Sequence, residues 1–440
     1  MADESKSQAD GKSSEEIENL TDEIDARCVR ELVIDHAEPA DEVLHFVGEC
    51  KVDLVILGPP ESDRRMVFGS TTERLIRESA YAVLAVALGS TSGGRVMRAV
   101  RFAGVGRPAQ IADVPKPAPG PGQVLVKIGG AGVCHSDLHV MEEDFGFTPP
   151  FTLGHENAGW VAGLGGGVSG FKEGDPVAVY GPWGCGRCHA CQLSMENYCE
   201  HWAEIGGFGG GLGFDGGMAD YMLVPAPRLL VPLGDLSPSK AAPLSDAALT
   251  PYHAIKRALR HLNADSTVVV MGVGGLGHMA IQLLRVLAPM RIVAADVDNT
   301  KLEQAKALGA HNVVNNRNVD EAAERIQQIA GSRGAGLVLD CVGVQPTIDL
   351  GARLLGRNSM WTIVGLGGGH HDFHHGSTPY GCSVSIPYWG SRVELMEVIA
   401  MARNGRIHAE TTEFPLEQAD AVYERLKAGQ ITGRAVLVPQ

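Results

Sequence analysis

No run of eighteen or more apolar residues occurs among the 440, so no helix of the roughly 20 apolar residues that cross a bilayer is expected. The opening stretch MADESKSQADGKSSEEIENLTDE has neither a basic segment nor an apolar one, which excludes a secretory signal peptide of ordinary pattern. Basic residues are in the minority. The 37 Lys and Arg stand against 52 Asp and Glu, a formal net charge of −15 that argues against a nucleic-acid surface. No solenoid-type repeat is found. What remains is a protein expected in the cytoplasm, where thiols stay reduced, with neither membrane nor nucleic acid as partner.

A hydrophobic content of 44% over this length suits two or three cored domains. Residues 1–15 are poor in apolar side chains and read as a disordered acidic tail. Residues 16–89 carry α/β periodicity, with helices expected at ADEVLHFVGECK and STTERLIRESA and buried strands at VDLVILG and YAVLAVAL. Residues 90–95 are a flexible linker. From 96 to 247, short strands punctuated by Gly and Pro suggest a β-rich, barrel-like domain. From 248 to 385, strands alternate with amphipathic helices, the pattern of a doubly wound parallel sheet. Residues 386–440 return to the β-rich domain.

Cys185, Cys188, Cys191 and Cys199 fall within GCGRCHACQLSMENYC. In a reducing compartment such a cluster reads as metal-binding rather than as a disulfide framework. Four thiolates suit a closed tetrahedral zinc, with an iron–sulfur cluster as the rival and unligated thiols as the bland reading. A closed site does no chemistry, so the chemistry lies elsewhere. VVVMGVGGLGHMA contains Gly272-x-Gly274-x-x-Gly277, preceded by apolar residues and followed by an amphipathic helix. That context makes Gly272, Gly274, Gly275, Leu276 and Gly277 a turn over which a dinucleotide pyrophosphate approaches the backbone. Asp296 ends the next strand, and a carboxylate there accepts ribose hydroxyls and repels a 2′-phosphate, favouring NAD over NADP. Upstream, GVCHSDLH and GHENAG offer Cys134 and His155 as two ligands of an open zinc site, and PLSDAALTPYH offers Asp246 as a third. Each alone also has a bland reading, as a core cysteine, a satisfied core histidine and a helix cap.

Together CHSDLH, GHENAG, the four-cysteine lobe and GVGGLG resemble the zinc-dependent medium-chain alcohol dehydrogenases over residues 96–440. YGPWGCGRCHAC, LTPYHA and IPYWGSRVELMEV are similar to the bacterial secondary-alcohol dehydrogenases within that family. The resemblance implies a GroES-like β-barrel catalytic domain beside a Rossmann domain, and two zinc ions per chain with NAD as cofactor. It implies a catalytic zinc on Cys134, His155 and Asp246, Glu156 as an occasional ligand, and a structural zinc on the four clustered cysteines. Ser136 and His139 would relay a proton, Thr250 would touch the nicotinamide, Lys301 would support the adenosine ribose, and Arg434 and His135 would lie at the pyrophosphate. Many family members carry cysteine at the position of Asp246 and arginine at that of His135. The implied reaction is reversible oxidation of primary or secondary alcohols. Aromatic residues Tyr180, Trp183 and Trp389 are candidate pocket walls favouring apolar or aromatic substrates. The family suggests a homodimer or homotetramer. A silent nucleotide sensor and a quinone reductase are the competing readings, and the presence of ligands for both zincs disfavours each.

Two segments stand outside this scheme. HHDFHH, residues 370–375, reads as a polar loop more readily than as a metal site. VDLVILGPPESDRRMVFGSTTERLIRESAYAVLAVA resembles the C-terminal half of a universal stress protein, but Glu61 stands where its phosphate loop needs a second glycine. An acid there opposes phosphate, so a partner-binding or oligomer-building appendage is expected rather than an ATP site.

Overall fold

A computed structural model describes residues 54–57, 82–85 and 96–439. The chain divides into two units, residues 1–90 and 91–440. In the first, β1 (Leu54–Leu57) and β2 (Ala82–Ala85) pair in parallel within the two stretches expected as strands. The expected tail, both expected helices, the stretch around Glu61 and the linker lie outside the described residues.

The second unit begins with β3 (Val96–Phe102), β4 (Gln110–Pro115) and β5 (Val124–Gly132). Helix α1 (His135–Glu142), β6 (Phe151–Thr152), β7 (Glu156–Leu164) and β8 (Pro176–Val179) follow. After the cysteine lobe come β9 (Gly209–Gly210), β10 (Gly213–Phe214), β11 (Tyr221–Val224) and β12 (Leu230–Pro232). Helix α2 (Leu249–Ala258) leads into the alternating region: β13 (Thr267–Met271), α3 (Gly277–Leu287), β14 (Arg291–Asp296), α4 (Asn299–Ala307) and β15 (Asn312–Asn315). It continues through α5 (Val319–Ala330), β16 (Ala335–Asp340), α6 (Gln345–Leu354), β17 (Leu355–Ile363) and β18 (Ser383–Ser385). The last elements are α7 (Arg392–Arg403), β19 (Thr411–Pro415), α8 (Ala419–Lys427) and β20 (Arg434–Val438).

Six strands form a wholly parallel sheet in the order β15-β14-β13-β16-β17-β18. That order reverses direction beside β13, and such sheets bind ligands in the crevice beyond the strand ends at the reversal. Side chains of β13 alternate between two cores. Val268 and Val270 belong to the cluster shared with the β-rich part, whereas Val269 and Met271 pack with Trp361 and Ile348 on the other face. Burial on both faces explains why the strand reads as an unbroken apolar run.

The β-rich part holds a mostly antiparallel sheet in the open order β12-β8-β7-β5-β20-β19, with β11 also pairing β5, and a three-stranded sheet β4-β3-β6. Strands β19 and β20 join it from beyond the parallel sheet. A doubly wound parallel sheet and a mostly antiparallel β-rich companion are therefore the architecture of residues 96–439.

Candidate active site

Strand pairing assembles a cluster of donors that lie far apart in sequence. Gly132 of β5 stands opposite Glu156 of β7, which brings Cys134 beside His155. On its other side β5 pairs with β20, Val436 opposite Gly132, and this brings in Arg434. Asp246 enters from the turn before α2. Cys134, His155, Glu156 and Asp246 are all buried, and each offers a ligand atom within 4.8 Å of the others. Cys134 Sγ lies 3.7 Å and His155 Nε2 3.6 Å from Asp246 Oδ2. Tetrahedral zinc, with bonds of about 2.3 Å to sulfur and about 2.1 Å to nitrogen and oxygen, sets such pairs about 3.6 and about 3.4 Å apart. The donor chemistry agrees: a thiol, an imidazole and two carboxyl groups converge on one point beside the Arg434 guanidinium, a set that suits a divalent cation once the thiol and imidazole have given up their protons.

The surroundings hold each donor in place. Arg434 grips Glu156 through Nε, 2.9 Å from Oε2, and Nη2, 2.5 Å from Oε1, while the Ala247 N–H donates to Oε1 at 3.1 Å. Gly132 leaves the room this carboxylate needs, since a Cβ there would fall 1.9 Å from Glu156 Oε2. Burial raises the Glu156 carboxyl to about 7 even against the opposing charge of Arg434. Burial also works against ionised Asp246, yet its hydrogen bond with His155 and the positive charges of His155 and Arg434 hold it at about 2. Thr250, expected at the nicotinamide, donates from Oγ1 to Asp246 Oδ1 at 2.5 Å. Ser136 Oγ is 3.6 Å from Cys134 Sγ, and His139 Nδ1 meets Glu143 Oε1 at 3.0 Å.

Asp137 escaped the sequence reading although it lies inside CHSDLH. It is fully buried, accepts the Cys134 N–H at 2.9 Å and meets His155 Nδ1 at 3.0 Å. With Nδ1 occupied as donor to Asp137, Nε2 is the nitrogen left to give its lone pair to a metal, its own proton leaving when the metal binds. Its signal was a carboxylate three residues after a helix-starting cysteine, but its partner His155 is 18 residues on. Asp137→Asn is expected to weaken zinc affinity by about 10- to 100-fold, because one face of the amide cannot accept from Cys134 N–H. Zinc retention against a graded chelator checks this.

The four-cysteine lobe fits a closed metal site. Its thiols are all free and lie within 4.8 Å of one another, with Cys185 Sγ 3.9 Å from Cys191 Sγ and Cys188 Sγ 4.0 Å from Cys199 Sγ. A tetrahedron of sulfurs about 2.3 Å from zinc has edges of about 3.8 Å. Backbone N–H groups of Cys185 and His201 point at Cys199 Sγ, and that of Cys188 at Cys185 Sγ. Against desolvation, donors of this kind pull the Cys185 thiol down to about 6. Gly184 is required, since a Cβ would lie 2.4 Å from Cys191 Sγ.

The glycine-rich turn opens α3 at the C-terminal end of β13. Gly272 has φ +85°, and a Cβ on Gly277 would fall 1.9 Å from Gly272 O. Around Gly274 nothing lies within 4 Å of a would-be Cβ, whereas at Gly275 it would meet Arg434 Nη1 at 2.2 Å. The open face over Gly274 suits a phosphate. Asp296 braces this turn by accepting the Val273 N–H at 2.7 Å, and its other oxygen accepts Asp298 N–H at 2.9 Å. Desolvation and the charges of Arg434, His139 and Lys301 lower the pKa of His135.

His278, just past Gly277, was also missed. Its Nδ1 lies 3.1 Å from Gly274 O and its Nε2 3.3 Å from the Glu410 N–H, and the ring is wholly buried. Burial, with the charge of Arg434, lowers its pKa to about 4. The folded chain therefore refuses a proton that the unfolded chain takes below about 6.5, and this stabilisation is full above about 6.5 and fades as pH falls toward 4. Between about pH 7 and about pH 5 the native protein is expected to lose about 2 kcal/mol more than His278→Gln does, read from urea midpoints of both.

The aromatic residues divide. Tyr180 has no exposed surface and donates from its hydroxyl to Gly390 O at 2.6 Å; Trp183 Nε1 donates to Tyr180 O, and its ring stacks on Phe214. Trp389 stands edge-on to His155, ring centroids 5.4 Å apart, donates to Ser245 O at 2.7 Å and has φ +51°. Residues 370–375 are mostly exposed and contribute to neither of the two donor clusters found among the described residues.

Comparison with known proteins agrees with this geometry. Residues 120–235 match the alcohol dehydrogenase GroES-like domain, 275–401 the zinc-binding dehydrogenase domain, and 1–87 the universal stress protein family. An NAD-dependent alcohol dehydrogenase of Sulfurisphaera tokodaii is 35% identical over 359 residues, covering 78% of this chain and all of that protein. The crystal structure of the alcohol dehydrogenase from Aeropyrum pernix is 37% identical with a TM-score of 0.72, covering 78% of this chain and 100% of that one. The acetophenone reductase of Geotrichum candidum, solved in complex with NAD, is 30% identical with a TM-score of 0.69, covering 78% of this chain and 97% of that one. With both donor clusters and the dinucleotide turn on the same framework, the chain belongs to the family of zinc-binding, NAD-dependent alcohol dehydrogenases, joined to an N-terminal universal-stress-protein segment.

Proposed function

We propose that this chain reversibly oxidises primary and secondary alcohols, aromatic ones among them, to aldehydes and ketones with NAD. The observation that carries the reading is the buried set of thiol, imidazole and carboxylate donors at zinc-like spacing. When bound, zinc supplies Lewis acidity toward the substrate oxygen and NAD accepts the hydride. The chain does the rest. Cys134, His155 and Asp246 hold the catalytic zinc, with Glu156 in reach as a further donor, and the four clustered cysteines hold the structural one. Asp137 keeps His155 in the ligating tautomer. Ser136 would relay the substrate proton, accepting it on Oγ as it passes its own hydroxyl proton outward, and His139 would take that proton at the end of the relay and release it to solvent. Asp296 and Lys301 hold the adenosine ribose; Gly272, Gly274, Gly275, Leu276, Gly277, His135 and Arg434 surround the pyrophosphate; Thr250 supports the nicotinamide side.

Trp389 and Trp183, with Tyr180 bracing both, support an apolar wall, and the likeness to an acetophenone reductase supports aromatic substrates. The exposed edge strand β18, with Val384 38% exposed and Ile386 just beyond it 77% exposed, supports pairing with a second copy in a homodimer or homotetramer. Seven free cysteines among the described residues favour a reducing, cytoplasmic setting. A panel of primary, secondary and aromatic alcohols assayed with NAD and with NADP, before and after zinc removal, tests the proposal. Zinc-dependent reduction of NAD by some of them is expected; its absence across the panel ends the reading.

A further inference from the structure

The helix that follows the glycine-rich turn carries two side chains, one helical turn apart, that reach the same distant backbone. Gln282 Nε2 donates to His408 O at 2.9 Å and its Oε1 accepts the His408 N–H at 3.0 Å. His278, four residues earlier on the same face, accepts the Glu410 N–H on Nε2. Only His278 also reaches the turn itself, donating from Nδ1 to Gly274 O, which already accepts the His278 main-chain N–H at 3.1 Å. Two donors on one carbonyl fix the plane of the Gly274–Gly275 peptide. In a trans peptide the N–H of Gly275 points opposite to that carbonyl, so pinning the oxygen inward aims this N–H outward over the open face above Gly274. Glu410 continues the chain of contacts, because its carbonyl accepts the Arg434 N–H at 2.8 Å. The Arg434 guanidinium in turn flanks Gly275 and grips Glu156.

We propose that His278 is a positioning residue for the cofactor, clamping the Gly274–Gly275 peptide to the Glu410–Arg434 backbone so that the pyrophosphate turn and the arginine beside the metal cluster are set as one unit. The clamp needs a neutral ring with Nδ1 as donor and Nε2 as acceptor, and it needs both arms. The inference rests on the reading of Gly272–Gly277 as the dinucleotide turn.

The two arms separate chemically. Asn at 278 places an amide donor near the former Nδ1 and keeps the Gly274 arm without the Glu410 arm; Gln places an acceptor near the former Nε2 and keeps only the Glu410 arm. NAD dissociation constants are measured by calorimetry on the full chain, with zinc content and kcat measured alongside. His278→Asn and His278→Gln are each expected to bind NAD about five- to tenfold more weakly, with two zincs retained and kcat within about twofold. Gln282→Ala, which loosens the same contact without touching the turn, is expected to bind NAD within about twofold of native while losing thermal stability like the His278 variants. Native-like affinity in the His278→Asn variant overturns the clamp, since one arm then suffices. Equal weakening in Gln282→Ala overturns it too, since the contact is then general packing. If the native chain binds no NAD, the reading of the turn fails and the clamp with it; native binding with unaffected variants removes the clamp alone.

Discussion

Asp246→Asn is expected to lower kcat/KM for alcohol oxidation at least about a thousandfold, equivalent to about 4 kcal/mol of lost barrier reduction. The reason is local. Asp246 Oδ2 is the atom that both Cys134 Sγ and His155 Nε2 face, at 3.7 and 3.6 Å. An amide is a poor ligand, and without the Asp246 carboxylate Cys134 and His155 have only Glu156, already gripped by Arg434, as a third donor, so zinc is held weakly. The four-cysteine site is untouched, so the variant should keep one zinc per chain and most of its thermal stability. Asp246→Cys restores an anionic donor at the same place and should restore much of the zinc. Metal analysis with steady-state kinetics decides the matter: an Asp246→Asn protein with two zincs and near-native turnover would mean that the cluster is not the catalytic metal site.

The second large effect concerns the other cluster. Cys188→Ser is expected to remove the structural zinc and to cost about 10 °C or more in Tm. In small peptides such a site contributes on the order of 10 kcal/mol of folding free energy, comparable with the whole 5–15 kcal/mol stability of a typical domain. The damage should extend beyond the lobe. The Arg392 N–H donates to Ser194 O at 3.0 Å, Asn197 Nδ2 to Tyr388 O at 2.8 Å, and Tyr198 Oη meets His253 Nε2 at 2.9 Å. The first two hold the segment that carries Trp389 against His155, and the third ties the lobe to α2. Any folded fraction of the variant should therefore show kcat/KM lowered about tenfold or more, together with new protease cleavage between residues 185 and 199. A lobe that resists protease and an unchanged Tm would show that the four thiols do not depend on a shared metal.

The features legible in the sequence were those whose constraint is local. The turn at Gly272–Gly277 and the spacing of Cys185, Cys188, Cys191 and Cys199 each write their geometry into a few consecutive positions. Likewise the alternation of apolar strands with amphipathic helices from 248 to 385 marked the parallel sheet. Asp246 could be offered from the sequence as a third ligand, but only likeness to a family singled it out, because nothing in PLSDAALT says where the turn points. Asp137 and His278 were illegible for a different reason. Each works through one partner near in sequence and another that only strand pairing or helix contact supplies, such as Glu410, 132 residues from His278. Arg434 shows the same limit: its placement beside both Gly275 and Glu156 follows from the register of β20 on β5.

One consequence of Trp389 concerns which changes at that position natural variation or laboratory selection can reach. Its left-handed backbone costs on the order of 1–3 kcal/mol for an L side chain, and β-branched residues tolerate it least. Valine or isoleucine, the obvious choices for opening room beside the His155 ring, would meet that penalty in full. Glycine or asparagine would relieve it while removing the indole, so the accessible path toward bulkier substrates leads through small flexible residues rather than through a graded series of smaller hydrocarbons.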